Sequence, residues 1–187
     1  MKNRIHCFNS LDKYPYDKSY IYFIKYFENK EILTEEDLVI SANFTYGWMP
    51  TILNFKNTNF NECVDILNKS KQIDRLEAKD IYALKSLINN SLVGTSKLLH
   101  FINPNKYAIW DSRVSKFLSG TTHKYFIEKT DVFFQYIDFC NELINHHEYE
   151  KEIHQIYIEK SNNQNATKMK SLEQLMFLSS DNGLKIL

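Results

Sequence analysis

The sequence has little of what punctuates sheets and staples small folds: 4 glycines, 3 prolines and 3 cysteines in 187 residues. An all-β chain spends glycine and proline on its many turns, so their scarcity favours helices joined by short polar loops. Cys7, Cys63 and Cys140 are odd in number, far apart and form no CxxC pair. That argues against a disulfide framework and a zinc knuckle, and leaves reduced core residues. No run of about eighteen apolar residues is present, and the opening MKNRIHCFNS lacks an apolar signal core. A membrane span and secretion are therefore unsupported, and a cytoplasmic protein is expected. Net charge is missing too: 23 Lys+Arg balance 23 Asp+Glu, so no global field steers the chain to nucleic acid.

What is present is apolar and aromatic material, 43% and 14% of residues, enough to place the chain among folded globular proteins. The length suits a single helical domain over 1–187, or two small lobes sharing a core, stable without metal or disulfides. Although the total charge is zero, its distribution is uneven. Between residues 94 and 125, Lys97, Lys106, Arg113, Lys116 and Lys124 face only Asp111 as an anion, whereas 27–37 and 142–159 are rich in acids. Such a distribution makes either a basic patch around Asp111 or an ordinary solvated lysine face.

Helical patterns follow one another along the chain. KSYIYFIKYFEN places Tyr20, Phe23, Ile24 and Phe27 on one stripe, and TEED at Thr34–Asp37 has the form of a capped helix start. FTYGWMPTIL then sets Tyr46, Trp48 and Met49 around Gly47 and Pro50, where the helix should end; aromatics at such a break either plug the core or line a pocket. Further helices are expected over 60–70, 76–90, 125–147 and from a capping-box start at Ser171–Gln174, with a polar loop over 161–170. In SLVGTSKLLHFI, Gly94 separates two apolar segments, predicting a helix, a tight hairpin and a new helix from Ser96 to Ile102. No alternating stretch supports a strand. The expected fold class is all-α.

The hairpin matters because a turn at Gly94 can leave backbone amides pointing outward beside a helix start, an arrangement suited to a phosphate oxygen, with Lys97 adding a cation. Asn103 and Pro104 end that helix, and the apolar run to Trp110 brings the chain to Asp111 before DSRVSKFL. An aspartate there is held ionised by helix amides. It is then either a cap alone, or a preorganised carboxylate able to stabilise a nearby cation or orient a water.

SLVGTSKLLHFINPNKYAIWDSRVSKFL resembles the helix-hairpin-helix DNA glycosylases, most closely the compact bacterial proteins similar to 8-oxoguanine DNA glycosylase. In that superfamily a hairpin L-P-G-x-G precedes a helix and a Pro-containing loop leads to V-D-x-H/R-V. Here Leu92, Val93, Gly94, Thr95 and Ser96 match the hairpin, and Ile109 to Val114 match the aspartate segment, so that the resemblance covers roughly 85–119. Val93 stands where the family has proline and Ser96 where it has the second glycine; the iron-sulphur cysteines are absent. The resemblance implies a compact two-lobed helical domain with the hairpin and Asp111 at the cleft. It also implies a monomeric enzyme that binds duplex DNA, extrudes a base and hydrolyses its N-glycosidic bond. Asp111 becomes the catalytic carboxylate, and Gly94, Thr95 and Ser96 hold the DNA backbone, with a monovalent cation expected at the hairpin carbonyls. Arg113 and Lys116 reach nearby phosphates. Lys97 is either the amine nucleophile of a bifunctional enzyme or a phosphate clamp, depending on a one-residue register shift. Phe44, Tyr46, Trp48 and Trp110 are the candidate base-pocket or wedge residues, for which core packing is an equal explanation.

A non-catalytic DNA-binding module built on the same hairpin is the alternative, and a structural helical protein without nucleic-acid partner is a third reading. His146, His147 and His154 with Glu150 invite a metal reading, but exposed titrating histidines are the commoner outcome. Serine and cysteine nucleophile motifs, phosphate loops and dinucleotide loops are absent.

Overall fold

The computed structural model describes residues 2–13, 17–49, 51–56, 59–72 and 75–180. It is predominantly helical; among the described residues there is no strand, only an isolated antiparallel bridge between Phe55 and Ile88. The chain divides into two compact units, one contiguous (Tyr16–Lys106) and one split (Met1–Pro15 with Tyr107–Leu187).

The contiguous unit holds α1 (Asp17–Glu28), α2 (Glu35–Gly47), α3 (Phe60–Gln72), α4 (Ala78–Leu87) and α5 (Leu92–Ile102). The expected stripe of α1 is present: Tyr20 and Phe27 are buried, and Phe23 and Ile24 half-buried. At the start of α2 the threonine cap forms as the sequence predicts. The Asp37 amide donates to Thr34 Oγ1 (3.4 Å) and the Thr34 amide returns a bond to Asp37 Oδ2 (2.9 Å). α5 is the most buried helix of the unit, with Leu98 and Leu99 both sealed from solvent; burying each leucine contributes about 1.5–3 kcal/mol.

Here the hairpin expectation is corrected. Gly94 does not break the helix: α5 begins at Leu92, capped by Ser91, and Gly94 lies inside its first turn without a positive φ. The chain reverses four to five residues before Gly94, where Asn89 and Asn90 both adopt left-handed backbone (φ 54 and 50). Asparagine tolerates that region better than any other residue with a side chain except aspartate, because its short amide bonds locally. The Asn89 side chain ties the turn to a segment distant in sequence, its Oδ1 accepting the Asn54 amide and its Nδ2 donating to the Ile52 carbonyl (2.8 Å).

The split unit begins with a 3-10 helix, Lys2–Lys13. Phe8 and Leu11 are buried and Ile5 half-buried, a spacing of three that suits a helix with three residues per turn. Then follow α6 (Ser112–Ser119), α7 (Lys124–Ile127), α8 (Thr130–Ile144), a π-helical turn (Glu150–His154) running into α9 (Gln155–Ser161), and α10 (Lys168–Leu178). α10 is the core element, packed against α6, α8, the 3-10 helix and the π turn, with Met169, Leu172, Leu175 and Met176 fully buried.

Two boundaries differ from expectation. The predicted helix over 125–147 is two helices, because the Ile127 carbonyl accepts the Trp110 indole N–H (2.9 Å) and Lys129 turns extended. α10 starts earlier than Ser171: Thr167 is the cap, taking the Lys170 amide on Oγ1 (3.2 Å), and Ser171 is buried within the helix.

Candidate functional site around Asp111

Asp111 closes the extended run Tyr107–Trp110 and caps α6. The run is anchored by burial of all four residues, by the Trp110 indole bond to Ile127, and by the Tyr136 hydroxyl, which donates to the Ile109 carbonyl (2.8 Å) while its ring lies 5.0 Å from that of Trp110. The backbone that presents Asp111 is therefore fixed from below. Its Oδ1 accepts the amides of Arg113 (2.9 Å) and Val114 (3.0 Å). Both bonds fall on one oxygen, and among the described residues no donor is placed on Oδ2. Asp111 itself is half-buried, and Ser112, Arg113 and Lys116 are exposed around it. The Arg113 guanidinium lies 4.6 Å from the Phe177 ring centroid on α10, a cation–π contact that holds it at the helix start.

Behind this surface the interior of the unit carries charge. Lys170 Nζ donates to Glu173 Oε2 (3.0 Å) with side chains only 1% and 3% exposed, and Gln174 Nε2 donates to the same oxygen (3.2 Å). Burial pushes the Glu173 carboxyl above its ordinary range; Lys170 opposes the rise, and the nearby Asp111 carboxylate adds to it. Burial likewise raises the Tyr136 phenol, with the charges of Glu173 and Asp111 contributing. Glu173 is one helical turn before Phe177 and so shares the face of α10 that meets α6. Sequence reasoning missed Lys170, Glu173 and Tyr136. The available signal was a Lys/Glu pair three apart inside a helix that also carries the apolar Met169, Leu172, Leu175 and Met176.

In the contiguous unit the structure brings together some of the predicted residues and separates others. Lys97 is half-buried with its Nζ 5.6 Å from the Trp48 ring centroid, so those two share one surface. Phe44 is half-buried too, stacked on Phe23 at 4.7 Å. Tyr46 and Trp110 are core residues, 3% and 0% exposed, and that correction removes them from a base pocket. The Tyr46 hydroxyl donates to the Ile88 carbonyl (3.2 Å) and its ring occupies the space beside Gly94. A Cβ at Gly94 would come within 2.5 Å of that hydroxyl, so glycine is required here for close packing. Thr95 and Ser96 are fully buried, and their hydroxyls donate to their own helix at the Ser91 carbonyl (2.9 Å) and the Val93 carbonyl (2.9 Å). As DNA-backbone contacts these two side chains are corrected, since neither reaches the surface.

The hairpin amides differ from expectation as well. The Gly94 amide is satisfied by Ser91 Oγ (3.1 Å) and the Thr95 amide by the Ser91 carbonyl (3.0 Å). Three carbonyls around the turn also accept hydrogen bonds. Ile88 accepts from Tyr46 and from the Ser91 amide, Ser91 from the Thr95 amide and hydroxyl, and Val93 from Ser96. His100 is buried and bonded through Nε2 to the Tyr20 hydroxyl (2.8 Å). Among the described residues no group of three or more His, Cys, Asp or Glu could hold a metal ion, and no helix is long and apolar enough to cross a membrane.

Set against protein-family models, curated proteins and solved structures, the chain matches none.

Proposed function

We propose that the protein is a DNA glycosylase-like enzyme that takes a damaged or modified base out of duplex DNA and hydrolyses its N-glycosidic bond, with Asp111 as the catalytic carboxylate. The reading includes a two-lobed helix-hairpin-helix arrangement in which α4, the turn at Asn89 and Asn90, and α5 form the hairpin unit. The observation that carries it is the state of Asp111: Oδ1 is fixed by two helix amides, among the described residues no donor is placed on Oδ2, and the half-buried residue opens a helix on which Arg113 and Lys116 are exposed. In glycosidic hydrolysis the C1′–N bond breaks, the base departs with the electron pair, and water supplies the new C1′–O bond. A fixed carboxylate assists by stabilising the positive charge on the sugar or by taking the proton of the attacking water. Arg113 and Lys116 supply cations for phosphates on either side.

Lys97 belongs to the same reading as amine nucleophile or phosphate clamp. Its place over the half-exposed Trp48 ring suits contact with a nucleotide, since an aromatic face and a cation side by side match a base and its phosphate. The alternative, a DNA-binding module without chemistry, draws on the same cap, because Asp111 bonded to two amides is already a complete helix cap.

The test is base release from duplexes carrying oxidised, deaminated, alkylated or glycosylated bases, for wild type and Asp111→Asn, with borohydride trapping. Asparagine caps a helix as well as aspartate does, so the variant keeps its fold. Release lost in Asp111→Asn supports catalysis by the carboxylate. An adduct trapped in wild type and absent in Lys97→Ala makes Lys97 the nucleophile. Binding without release from any duplex leaves the non-catalytic module.

A further inference from the structure

α7 is only four residues long, and it holds an aromatic ring in solvent. Tyr125 is 73% exposed, the most exposed large apolar side chain of the split unit among the described residues. The element that carries it is tied down on several sides. The Ile127 carbonyl accepts the indole N–H of Trp110 (2.9 Å), the residue next to Asp111. Ser115 Oγ, on α6, donates to the Thr121 carbonyl (2.8 Å) in the loop that leads into α7. His123 Nδ1 accepts the Tyr125 amide (3.3 Å), and Ile127 itself is buried. Tyr125 is thus an exposed ring on a fixed support that is bonded to the Asp111 segment within one unit.

Lysines lie at the ring and beside it in the chain. Lys129 Nζ is 5.1 Å from the Tyr125 ring centroid and Lys124 is exposed next to it, while the acids of the segment, Glu128 and Asp131, follow on the C-terminal side. An exposed aromatic costs solubility and stabilises nothing it does not touch. A ring with one ammonium group at 5.1 Å and an exposed lysine next to it in the chain is instead matched to a nucleotide, whose base has a π-face and whose phosphate is anionic.

We infer that Tyr125 is a stacking contact for an unpaired nucleobase, with Lys124 and Lys129 contacting the adjoining phosphates. The inference rests on the reading of the protein as DNA-binding, and names a contact that the hairpin and Asp111 do not supply. Tyr125 would receive a base on the strand beside the site, and its support would keep it in register with Asp111.

The experiment is binding by fluorescence anisotropy to a labelled single-stranded oligonucleotide, to a duplex with bulged bases and to a fully paired duplex, for wild type, Tyr125→Ala, Tyr125→Leu, Tyr125→Phe and Lys124→Ala. The exposed position makes each variant compatible with folding. Tyr125→Ala and Tyr125→Leu are expected to weaken binding to the unpaired substrates at least about fivefold, and Tyr125→Phe to leave it unchanged. Lys124→Ala should lower the dependence of binding on salt, whereas Tyr125→Ala should not, because only the lysine releases a counterion. Tyr125→Leu binding as tightly as wild type overturns the inference, as does equal weakening on paired and unpaired DNA. Base release that continues while Tyr125→Ala binds normally removes the stacking contact alone. Tyr125-dependent binding without base release removes the catalytic reading alone, and a wild type that binds none of the three removes both.

Discussion

Asp37 in the contiguous unit and Glu173 in the split unit are both buried carboxylates with a lysine partner, and their acidities move in opposite directions. Burial raises Asp37, but Lys30 Nζ (2.6 Å), the Thr34 amide and the hydroxyls of Tyr26 and Thr34 outweigh it and bring its pKa down to about 2. Asp80 repeats the pattern: burial is outweighed by Lys69 (2.6 Å) and the Glu77 amide. Glu173 has a lysine as well, yet its acidity is lowered. Asp37 and Asp80 sit at helix starts where amides converge, and their lysines keep a third of their side chains in water; Lys170 is sealed inside with Glu173. A carboxylate at a helix start is stabilised by backbone already in place, whereas one inside a helix depends on a second buried charge. Asp111 belongs to the first kind by position and lies near an example of the second.

The sharpest way to break this comparison is to remove one member of the interior pair. Lys170→Met should lower the unfolding free energy by about 3–5 kcal/mol, since it strands the Glu173 carboxylate. Lys170→Met combined with Glu173→Leu should restore most of that loss in urea unfolding, because an apolar pair of similar volume carries no desolvation cost. Glu173 has its folded-state pKa above the unfolded value, so its contribution is present below the ordinary carboxylate range and is lost as pH rises through the raised value.

Asp37 reverses that sign. Its folded value of about 2 lies below the ordinary 3.8, so its contribution is complete above 3.8 and lost as pH falls through about 2. Asp37→Asn should cost about 2 kcal/mol at neutral pH and flatten the acid limb of stability between about pH 4 and 2, read by thermal unfolding across pH.

The smallest effect separates the cap from the chemistry. Asp111→Asn should change stability by less than about 0.5 kcal/mol and Asp111→Ala should cost about 1 kcal/mol, measured as urea midpoints. A much larger loss in the Asn variant would make Asp111 a charge the fold depends on, like Asp37, rather than a helix cap alone.

Much of the helical order was readable in advance. The Thr34 cap, the stripe of α1, the helix of Phe60–Gln72 and the cap at Asp111 are local events, decided by side chains within four residues. The 3-10 helix was not, because Ile5, Phe8 and Leu11 repeat every three residues and fall outside the 3.6-residue template. The reversal before α5 was legible but misplaced: Gly94 drew the turn toward itself, while Asn89 and Asn90 made it. The interior of the Asp111 region was the least legible part. Lys170 and Glu173 have the spacing of a surface pair, and only the packing of α10 against α6 and α8 encloses them. Trp110 and Tyr46 illustrate the converse, aromatics suited by type to a pocket and used by the fold as anchors.

Gly94 sits beside Tyr46 so closely that the two positions constrain each other: any descendant of this chain that keeps the tyrosine must keep the glycine. In a set of relatives the glycine would therefore look invariant and invite a role in ligand binding. Its constancy would instead record the hydroxyl end of a neighbouring tyrosine, and the pair would be expected to change together, a larger residue entering at 94 where a smaller one has replaced the tyrosine.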